Sequence, residues 1–132
     1  MTRTTLAPWT WQEAFGFAQG AEVRNTRAVV YVAGQGSVDA DGNPVHDGDM
    51  EKQVVQALDN VEAVLGEAGL TLADVVKYDV HTTDIDAYFA ASGALVGRFA
   101  AVGNVPVGGI LAEVRRLAFP PMLVEITCTA VA

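Results

Sequence analysis

The sequence has 132 residues and a net charge of −8, and 51% of its residues are hydrophobic while only 18% are charged. This composition indicates a compact globular chain, and the length predicts a single domain over residues 1–132. The negative charge opposes electrostatic binding to nucleic acid or to an anionic membrane surface, and every apolar run is too short to cross a bilayer. The mean hydropathy of +0.27 predicts that some apolar surface is buried between subunits.

Familiar catalytic motifs are missing from the sequence. Cys128 is the only cysteine, so no internal disulfide forms, and its apolar strand face predicts a small buried hydrophobe. His46 and His81 belong to no zinc-binding spacing and are interpreted as loop and surface residues, and no phosphate-binding glycine loop or nucleophile elbow occurs. We therefore expect no metal and no cofactor. The N-terminus lacks the apolar core of a signal peptide, which predicts a cytoplasmic protein.

The first part of the chain predicts strands around an aromatic cluster. We expect a strand over residues 3–6, a helical turn over 12–15, and two strands over 19–23 and 28–33 joined by a turn at Asn25. The strand over 28–33 is apolar on both faces, which predicts a central position in the sheet. The aromatic residues either pack in the core or at a subunit interface, or wall a small-molecule pocket. They are Trp9, Trp11, Phe15 and Phe17.

The clearest helix is predicted from residue 50 to residue 68. Apolar residues recur every three or four positions and form one stripe, which predicts that the helix covers one face of the sheet. Asp49 is a good N-cap, because its side-chain oxygen can accept from early backbone N–H groups. Gly69 can take the left-handed conformation that ends a helix, with Leu70 supplying the hydrophobic contact after it. The stripe consists of Val54, Leu58, Val61, Leu65 and Ala68.

The remaining elements are predicted as a strand, a second helix and two further strands. Asp84 or Asp86 caps the second helix, and one side of that helix is apolar. Gly93 and Gly97 either weaken this helix or mark close packing. The apolar side carries Tyr88, Leu95 and Phe99. The four elements span residues 75–83, 87–101, 107–114 and 122–130.

The complete order is β-β-β-α-β-α-β-β, which predicts an α+β fold with a mixed sheet and two helices on one face. Strand–helix–strand units imply parallel crossovers, whereas the first and last hairpins imply antiparallel pairs. The other sheet face is left uncovered and is half apolar. We therefore expect that face to mediate oligomerisation.

The last strand has one apolar face, which should pack on the helices, and one mixed face that carries Glu125. A carboxylate there lies either on a wet sheet surface or in a cleft where its charge is used, and the pattern leaves both open. On the preceding strand, Glu113 and Arg115 share a face and are interpreted as a surface ion pair. The apolar face consists of Val124, Ile126, Cys128 and Ala130.

Three segments of the chain form a specific set of motifs that covers nearly its whole length. The first is Phe17-Ala18-Gln19-Gly20 leading into Val29-Val30-Tyr31-Val32-Ala33-Gly34-Gln35. The second is Gln56-Ala57-Leu58-Asp59-Asn60-Val61 to Gly69-Leu70, followed by Asp74-Val75-Val76-Lys77. The third is Arg116-Leu117 followed by Leu123-Val124-Glu125-Ile126. Together they resemble the Rid family of reactive-intermediate (imine/enamine) deaminases, also known as the YjgF family and named endoribonuclease L-PSP.

This resemblance implies a chorismate-mutase-like α+β fold assembled as a homotrimer, with small-molecule sites in clefts between subunits. Characterised members hydrolyse 2-aminoacrylate and related imines to 2-keto acids and ammonia without a cofactor. In the family an arginine on the penultimate strand holds the substrate carboxylate, and the glutamate of the last strand helps to position the attacking water. Glu125 matches that glutamate, so the resemblance implies a catalytic role for it in a cleft.

This sequence has no arginine at the position of the family's arginine. That position falls at Gly109, or at Gly108 if the gap is placed differently, and a glycine cannot hold a carboxylate by a salt bridge. The family's tyrosine, strand-end serine and helix asparagine fall at Phe17, Ala33 and near Gly93. The resemblance thus implies a divergent subfamily with a roomier, less polar cleft, from which typical 2-imino-acid deamination is not expected. The implied binding residues are Phe17, Tyr31, Ala33, Gly34, Gly93, Gly109 and Ile110.

Three functions remain open. The first is an enzyme for an imine or enamine that lacks a carboxylate, or whose carboxylate is held by Arg98 or Arg115, with Glu125 positioning water. The second is a non-catalytic module that binds an apolar or aromatic metabolite. The third is the ribonuclease or translation-inhibitor activity attached to the family's names, which the net charge of −8 and the lack of a basic stripe oppose.

Overall fold

The computed structural model describes all residues from Met1 to Ala132. It contains six strands, three α-helices and two short 3₁₀ turns, which gives the α+β class that the sequence predicts. The strands are β1 (Thr2–Leu6), β2 (Gly20–Arg24), β3 (Val29–Gly36), β4 (Val75–Thr82), β5 (Val107–Glu113) and β6 (Val124–Val131). The helices are α1 (Met50–Glu67), α2 (Ile85–Ala91) and α3 (Gly93–Ala101), and the 3₁₀ turns are Trp11–Phe15 and Leu72–Asp74.

The strands pair differently from the two hairpins that the sequence suggests. The main sheet has the order β3-β6-β4-β5, with β6 antiparallel to both neighbours and β5 parallel to β4, while β1 and β2 pair with each other in a separate ribbon. The parallel crossover from β4 to β5 is confirmed. Antiparallel pairing of β2 with β3 and of β5 with β6 is wrong, because β2 pairs with β1 and because β4 lies between β5 and β6.

The burial pattern of β6 explains its central place. Its apolar face is almost fully buried beneath the helices, as predicted, and a strand with such a face loses most solvent contact when both of its edges are paired. The prediction that the strand at 28–33 is central is wrong, because β3 lies at the sheet edge. There Val29 is 45% exposed and Tyr31 is 79% exposed in the single chain. The buried β6 residues are Val124, Ile126, Cys128 and Ala130.

Helix α1 begins and ends as its capping residues predict. The Asp49 carboxylate accepts from the Lys52 backbone N–H at 3.0 Å, and Gly69 has a φ of +71°. The Leu70 N–H then donates to the Leu65 carbonyl at 3.0 Å and closes the C-terminus. Because the apolar stripe lies on β3 and β6, this helix fixes one side of the sheet.

The second predicted helix is divided into α2 and α3 at Ser92. Asp84, one of the two predicted caps, accepts from the Ala87 N–H at 3.0 Å at the start of α2. The Ser92 hydroxyl donates to the Phe89 carbonyl at 2.9 Å, so a side chain competes with the helical backbone where Gly93 also favours a break. A Cβ at Gly93 or Gly97 would meet no atom within 4 Å, so neither glycine marks close packing.

The predicted Glu113–Arg115 ion pair does not form. The Glu113 carboxylate instead accepts from the Ile85 N–H at 3.1 Å, at the N-terminus of α2, where a negative charge complements the helix dipole. Arg115 lies beyond the end of β5 and has no carboxylate within ion-pair distance. None of the helices combines the length and apolarity that crossing a bilayer requires.

Candidate functional site

A cavity of about 470 Å³ opens beside β5, on the helix side of the sheet. Its walls come from β4, β5, the division between α2 and α3, and the aromatic segment that precedes β2. Eleven of its fifteen lining residues are hydrophobic and none is charged. The lining consists of Trp11, Ala14, Phe15, Phe17, Tyr78, Val80, Tyr88, Phe89, Ser92, Gly93, Val96, Gly108, Gly109, Ile110 and Leu111.

The aromatic segment is held against β5 and α3 by close backbone contacts. The Ala18 N–H donates to the Pro106 carbonyl at 2.9 Å, and the Gly108 N–H donates to the Ala18 carbonyl at 3.2 Å. This pairing lays Phe17 over Gly108, where a Cβ would stand only 2.7 Å from the ring. Gly16 has a φ of +74° and approaches Val96 of α3. The second interpretation of the aromatic cluster, a pocket wall, therefore holds for Trp11, Phe15 and Phe17, whereas Trp9 lies outside the lining.

The β5 wall is shaped by a bulge that Asp79 stabilises. The register between β4 and β5 shifts after Tyr78, and the Asp79 carboxylate accepts from the freed Ile110 N–H at 2.6 Å. Partial burial acts to raise the pKa of Asp79, but hydrogen bonds from the Ile110 amide and the Lys77 ammonium outweigh burial and lower it below its usual value. Asp79 is therefore an ionised carboxylate at neutral pH.

A side chain at Gly109 would require its neighbours to move. A Cβ at that position would overlap the Asp79 carboxylate and the end of the Lys77 side chain. Any side chain there begins on the uncovered sheet face, next to a negative charge, while one at Gly108 begins against Phe17. The two glycines that fall on the family's arginine are thus both enclosed by neighbouring side chains.

Neither of the two arginines considered as a substitute anchor lines the cavity. Arg98 projects from α3 toward α1, where its guanidinium lies 2.5 Å from the Asp59 carboxylate and 2.7 Å from that of Glu62. Arg115 lies past β5 and is absent from the lining. Within one chain, no cation reaches the cavity.

Glu125 lies apart from the cavity, on the uncovered face of the sheet. Its side chain covers Gly34, where a Cβ would overlap the carboxylate, and it faces His81 across the β4–β6 pair. The carboxylate is half-buried and accepts no hydrogen bond within the chain. On the neighbouring edge strand, Tyr31 projects into solvent, and Ala33 is exposed at a bulge. The glycine at position 34 thus leaves the space that the carboxylate fills.

The implied binding residues therefore form two groups in the single chain. Phe17, Gly93, Gly109 and Ile110 line the cavity, whereas Tyr31, Ala33, Gly34 and Glu125 belong to the uncovered face. Tyr88 was assigned by periodicity to the apolar side of the second helix, and the part of both Tyr78 and Tyr88 in the lining was missed. No group of three or more His, Cys, Asp or Glu is arranged to hold a metal ion.

Comparison with known proteins places this arrangement in a family. The family model described as Endoribonuclease L-PSP matches residues 13–132. A RutC family protein of Saccharolobus solfataricus is 33% identical over 114 residues, which are 86% of this chain and 85% of that protein.

Two solved structures extend this comparison to the fold. YyfB of Yersinia pestis, described as a protein of unknown function of the conserved Rid family, aligns over 100% of both chains with a TM-score of 0.87 and 32% identity. The Escherichia coli TdcF structure with bound serine covers 88% of this chain and 87% of its own, with a TM-score of 0.71 and 25% identity. The chain belongs to the Rid family, in agreement with the resemblance of its motifs.

The enclosure of Gly109 can be tested by adding one methyl group. Gly109→Ala should lower the free energy of unfolding by about 1–3 kcal/mol, because the new Cβ displaces the Asp79 carboxylate from the Ile110 N–H. Gly97→Ala is the matched control, since its Cβ meets open space in a helix and should be neutral or stabilising by up to about 1 kcal/mol. Urea unfolding measures both, and equal effects would contradict the assignment.

The role of the Asp79 charge can be tested through pH. A carboxyl whose pKa is lowered by folding adds stability above its unfolded pKa of about 4, and that stability is lost as the pH falls through the folded value. The difference in urea stability between wild type and Asp79→Asn should therefore be larger at about pH 7 than at about pH 3. Asp47→Asn, at an exposed position without hydrogen bonds, controls for the loss of one charge. A difference for Asp79→Asn that stays constant with pH would refute the assignment.

Proposed function

We propose that this protein is a cofactor-independent hydrolase of an uncharged imine or enamine, acting in the cytoplasm as a homotrimer with its sites in clefts between subunits. The observation that carries the proposal is the pairing of an uncharged cavity with an unbonded carboxylate, Glu125, on a separate surface of the same chain. An imine without a carboxylate needs no arginine for its recognition. The family's typical 2-imino acids would lack a counter-ion here.

The assembly is supported by the uncovered face of the sheet. It presents exposed apolar side chains along the edge strand β3, with Tyr31 at 79% and Val29 at 45% exposure. Apolar surface of this kind is commonly buried between subunits. In a closed ring of copies, the Glu125 surface of one chain can face the cavity of the next and complete a cleft that neither forms alone.

Hydrolysis of the C=N bond requires the protein mainly to position the substrate and the attacking water. Water adds to the carbon of the C=N bond, and the carbon–nitrogen bond then breaks to give a carbonyl compound and ammonia. Glu125 is proposed to hold the attacking water and to accept its proton, a role open to a carboxylate that has no hydrogen-bond partner of its own. The aromatic cavity orients the substrate and excludes bulk water.

A non-catalytic binding trimer is the second candidate. It is favoured by the position of Glu125 outside the cavity lining, which leaves no ionisable group except the two tyrosines against a bound ligand in one chain. The serine bound in the TdcF structure supports a small-molecule ligand for this chain under either candidate. A ribonuclease function, suggested by the name of the family model, is opposed by the net charge of −8.

Ammonia release from benzophenone imine, an uncharged N–H ketimine, tests the proposed activity. Wild type should accelerate release over buffer, and Glu125→Gln should lower the rate by about 100-fold or more, because the amide cannot accept the proton. Glu67→Gln, an exposed change at the end of α1, is the matched control and should leave the rate unchanged. The 2-aminoacrylate imine, generated in situ, should be hydrolysed no faster than in buffer.

The outcomes separate the two candidates. Saturable binding of benzophenone imine without acceleration of ammonia release would favour the non-catalytic trimer. Rapid hydrolysis of 2-aminoacrylate would contradict the proposed preference for uncharged substrates, since its carboxylate then has an anchor.

A further inference from the structure

The cavity contains two hydroxyl groups that nothing in the chain uses. Tyr78 is 8% exposed and Tyr88 is 4% exposed, and both side chains line the cavity. The only other hydroxyl in the lining belongs to Ser92, which already donates to the Phe89 carbonyl. The two tyrosine hydroxyls are therefore the free hydroxyl groups of the site, and the Trp11 indole N–H at the rim is its other side-chain donor without a partner.

Neither tyrosine hydroxyl makes a hydrogen bond within the chain. Side-chain polar atoms that are sealed inside this protein all have partners, so these two oxygens are not sealed and open to the cavity that their rings line. Elsewhere in the chain, each buried polar side chain makes at least one hydrogen bond. Gln53, for example, bonds His46, Pro121 and Leu123 through one amide group. An unbonded pair of phenols in such a protein indicates a place for a partner from outside.

Both groups remain neutral donors at physiological pH. Burial raises the pKa of Tyr78 to about 12. Burial raises the pKa of Tyr88 further, and the neighbouring Tyr78 adds to the rise. A phenol that keeps its proton donates to a carbonyl oxygen or an imine nitrogen and gives no charge to attract or neutralise a carboxylate.

We propose that Tyr78 and Tyr88 form the polar anchor of the cavity and select an uncharged aromatic ligand that carries a hydrogen-bond acceptor, such as an imine nitrogen or a carbonyl oxygen. This inference rests on the proposed function, because it describes the substrate class of the same cavity. The two hydroxyls take the place of a charged anchor. They fix the polar end of the ligand while its ring packs among the aromatic walls.

The rim of the cavity fits the same class of ligand. Trp11 is 59% exposed, Phe15 is 54% exposed and Phe89 is 47% exposed, so flat apolar faces stand at the entrance. Trp11 contacts Phe17 edge to face, with ring centroids 6.0 Å apart, and this contact orients the wall above Gly108. An aromatic ligand can stack on these faces. A carboxylate ligand would be desolvated among them without a cation.

Binding of a matched pair of probes tests the anchor. Acetophenone has an aromatic ring with a carbonyl acceptor, and ethylbenzene has nearly the same shape without one. In ligand-observed NMR titrations, wild type should bind acetophenone about tenfold more tightly than ethylbenzene, which corresponds to one good hydrogen bond. The preference should fall in Tyr78→Phe and in Tyr88→Phe, and it should vanish in the double variant.

The control variant is Thr26→Val, which removes a hydroxyl from an exposed residue in the turn between β2 and β3, outside the cavity lining. It should keep the full preference. Retained ethylbenzene binding in each Tyr→Phe variant verifies that the cavity is intact, so a lost preference reports the hydroxyl alone. If the double variant does not fold, the two single variants test the inference, because each should reduce the preference for acetophenone over ethylbenzene.

Equal binding of acetophenone and ethylbenzene by wild type would overturn the inference, and so would a preference that survives both tyrosine substitutions. Absence of binding by either probe would overturn it as well. Failure of the proposed hydrolysis is a separate result. Tyrosine-dependent binding without ammonia release from benzophenone imine would leave the ligand class standing and remove only the catalytic claim.

Discussion

The candidate site depends on the hydrogen bonds that the Asp79 carboxylate accepts. This carboxylate accepts from the Ile110 N–H at the β5 bulge and from Thr127 of β6 at 3.2 Å, so one side chain joins three neighbouring strands. The bulge turns Gly108 and Gly109 into the wall of the cavity, and a larger residue at position 109 would have to displace the Asp79 side chain. Asp79 thus stabilises the strand geometry that shapes the site.

The consequence for recognition is electrostatic. A site that binds a carboxylate must offset the loss of its hydration with a cation or several donors. In this chain Arg98 pairs with two carboxylates of α1 and Lys77 pairs with Asp79, and no cation lines the cavity. The cavity therefore has only neutral means of recognition: aromatic faces, backbone groups, the Trp11 indole N–H and hydroxyl groups. None of these supplies the positive charge that a salt bridge to a carboxylate ligand requires.

The division of the site between two surfaces of one chain bears on assembly. Glu125 and Gly34 share the uncovered sheet face with exposed apolar side chains, whereas Phe17 and Gly109 lie at the cavity. If copies associate through that face, as we propose, burial of apolar surface and completion of the cleft occur together. Substrate binding and subunit association would then stabilise each other.

Much of the fold can be predicted from local sequence patterns, but the arrangement of the candidate site cannot. Helix α1 is predictable because its caps and its stripe lie within a few residues of one another, and Asp49 and Gly69 act as their chemistry requires. The position of β6 between β3 and β4 is not predictable in this way. It depends on competition among distant strands for the most buried place, and local alternation does not report that competition.

The environment of the candidate residues could not be predicted from the sequence either. In the sequence, Gly109 is interpreted as the position of a missing arginine. In the structure, the space beside Gly109 is occupied by the side chain of Asp79, a residue 30 positions away in the sequence. Tyr78 and Tyr88 show the same limit. Their burial follows from periodicity, but the absence of any partner for their hydroxyls is a property of the whole fold.

The most direct test of the central claim is the relative affinity of wild-type protein for benzamide and benzoate at neutral pH. The two molecules are alike in size and differ in charge, and titration on one sample gives both dissociation constants. An uncharged cavity predicts that benzamide binds at least about tenfold more tightly. Benzoate binding that equals or exceeds that of benzamide would contradict the account, because it would require a cation in the site.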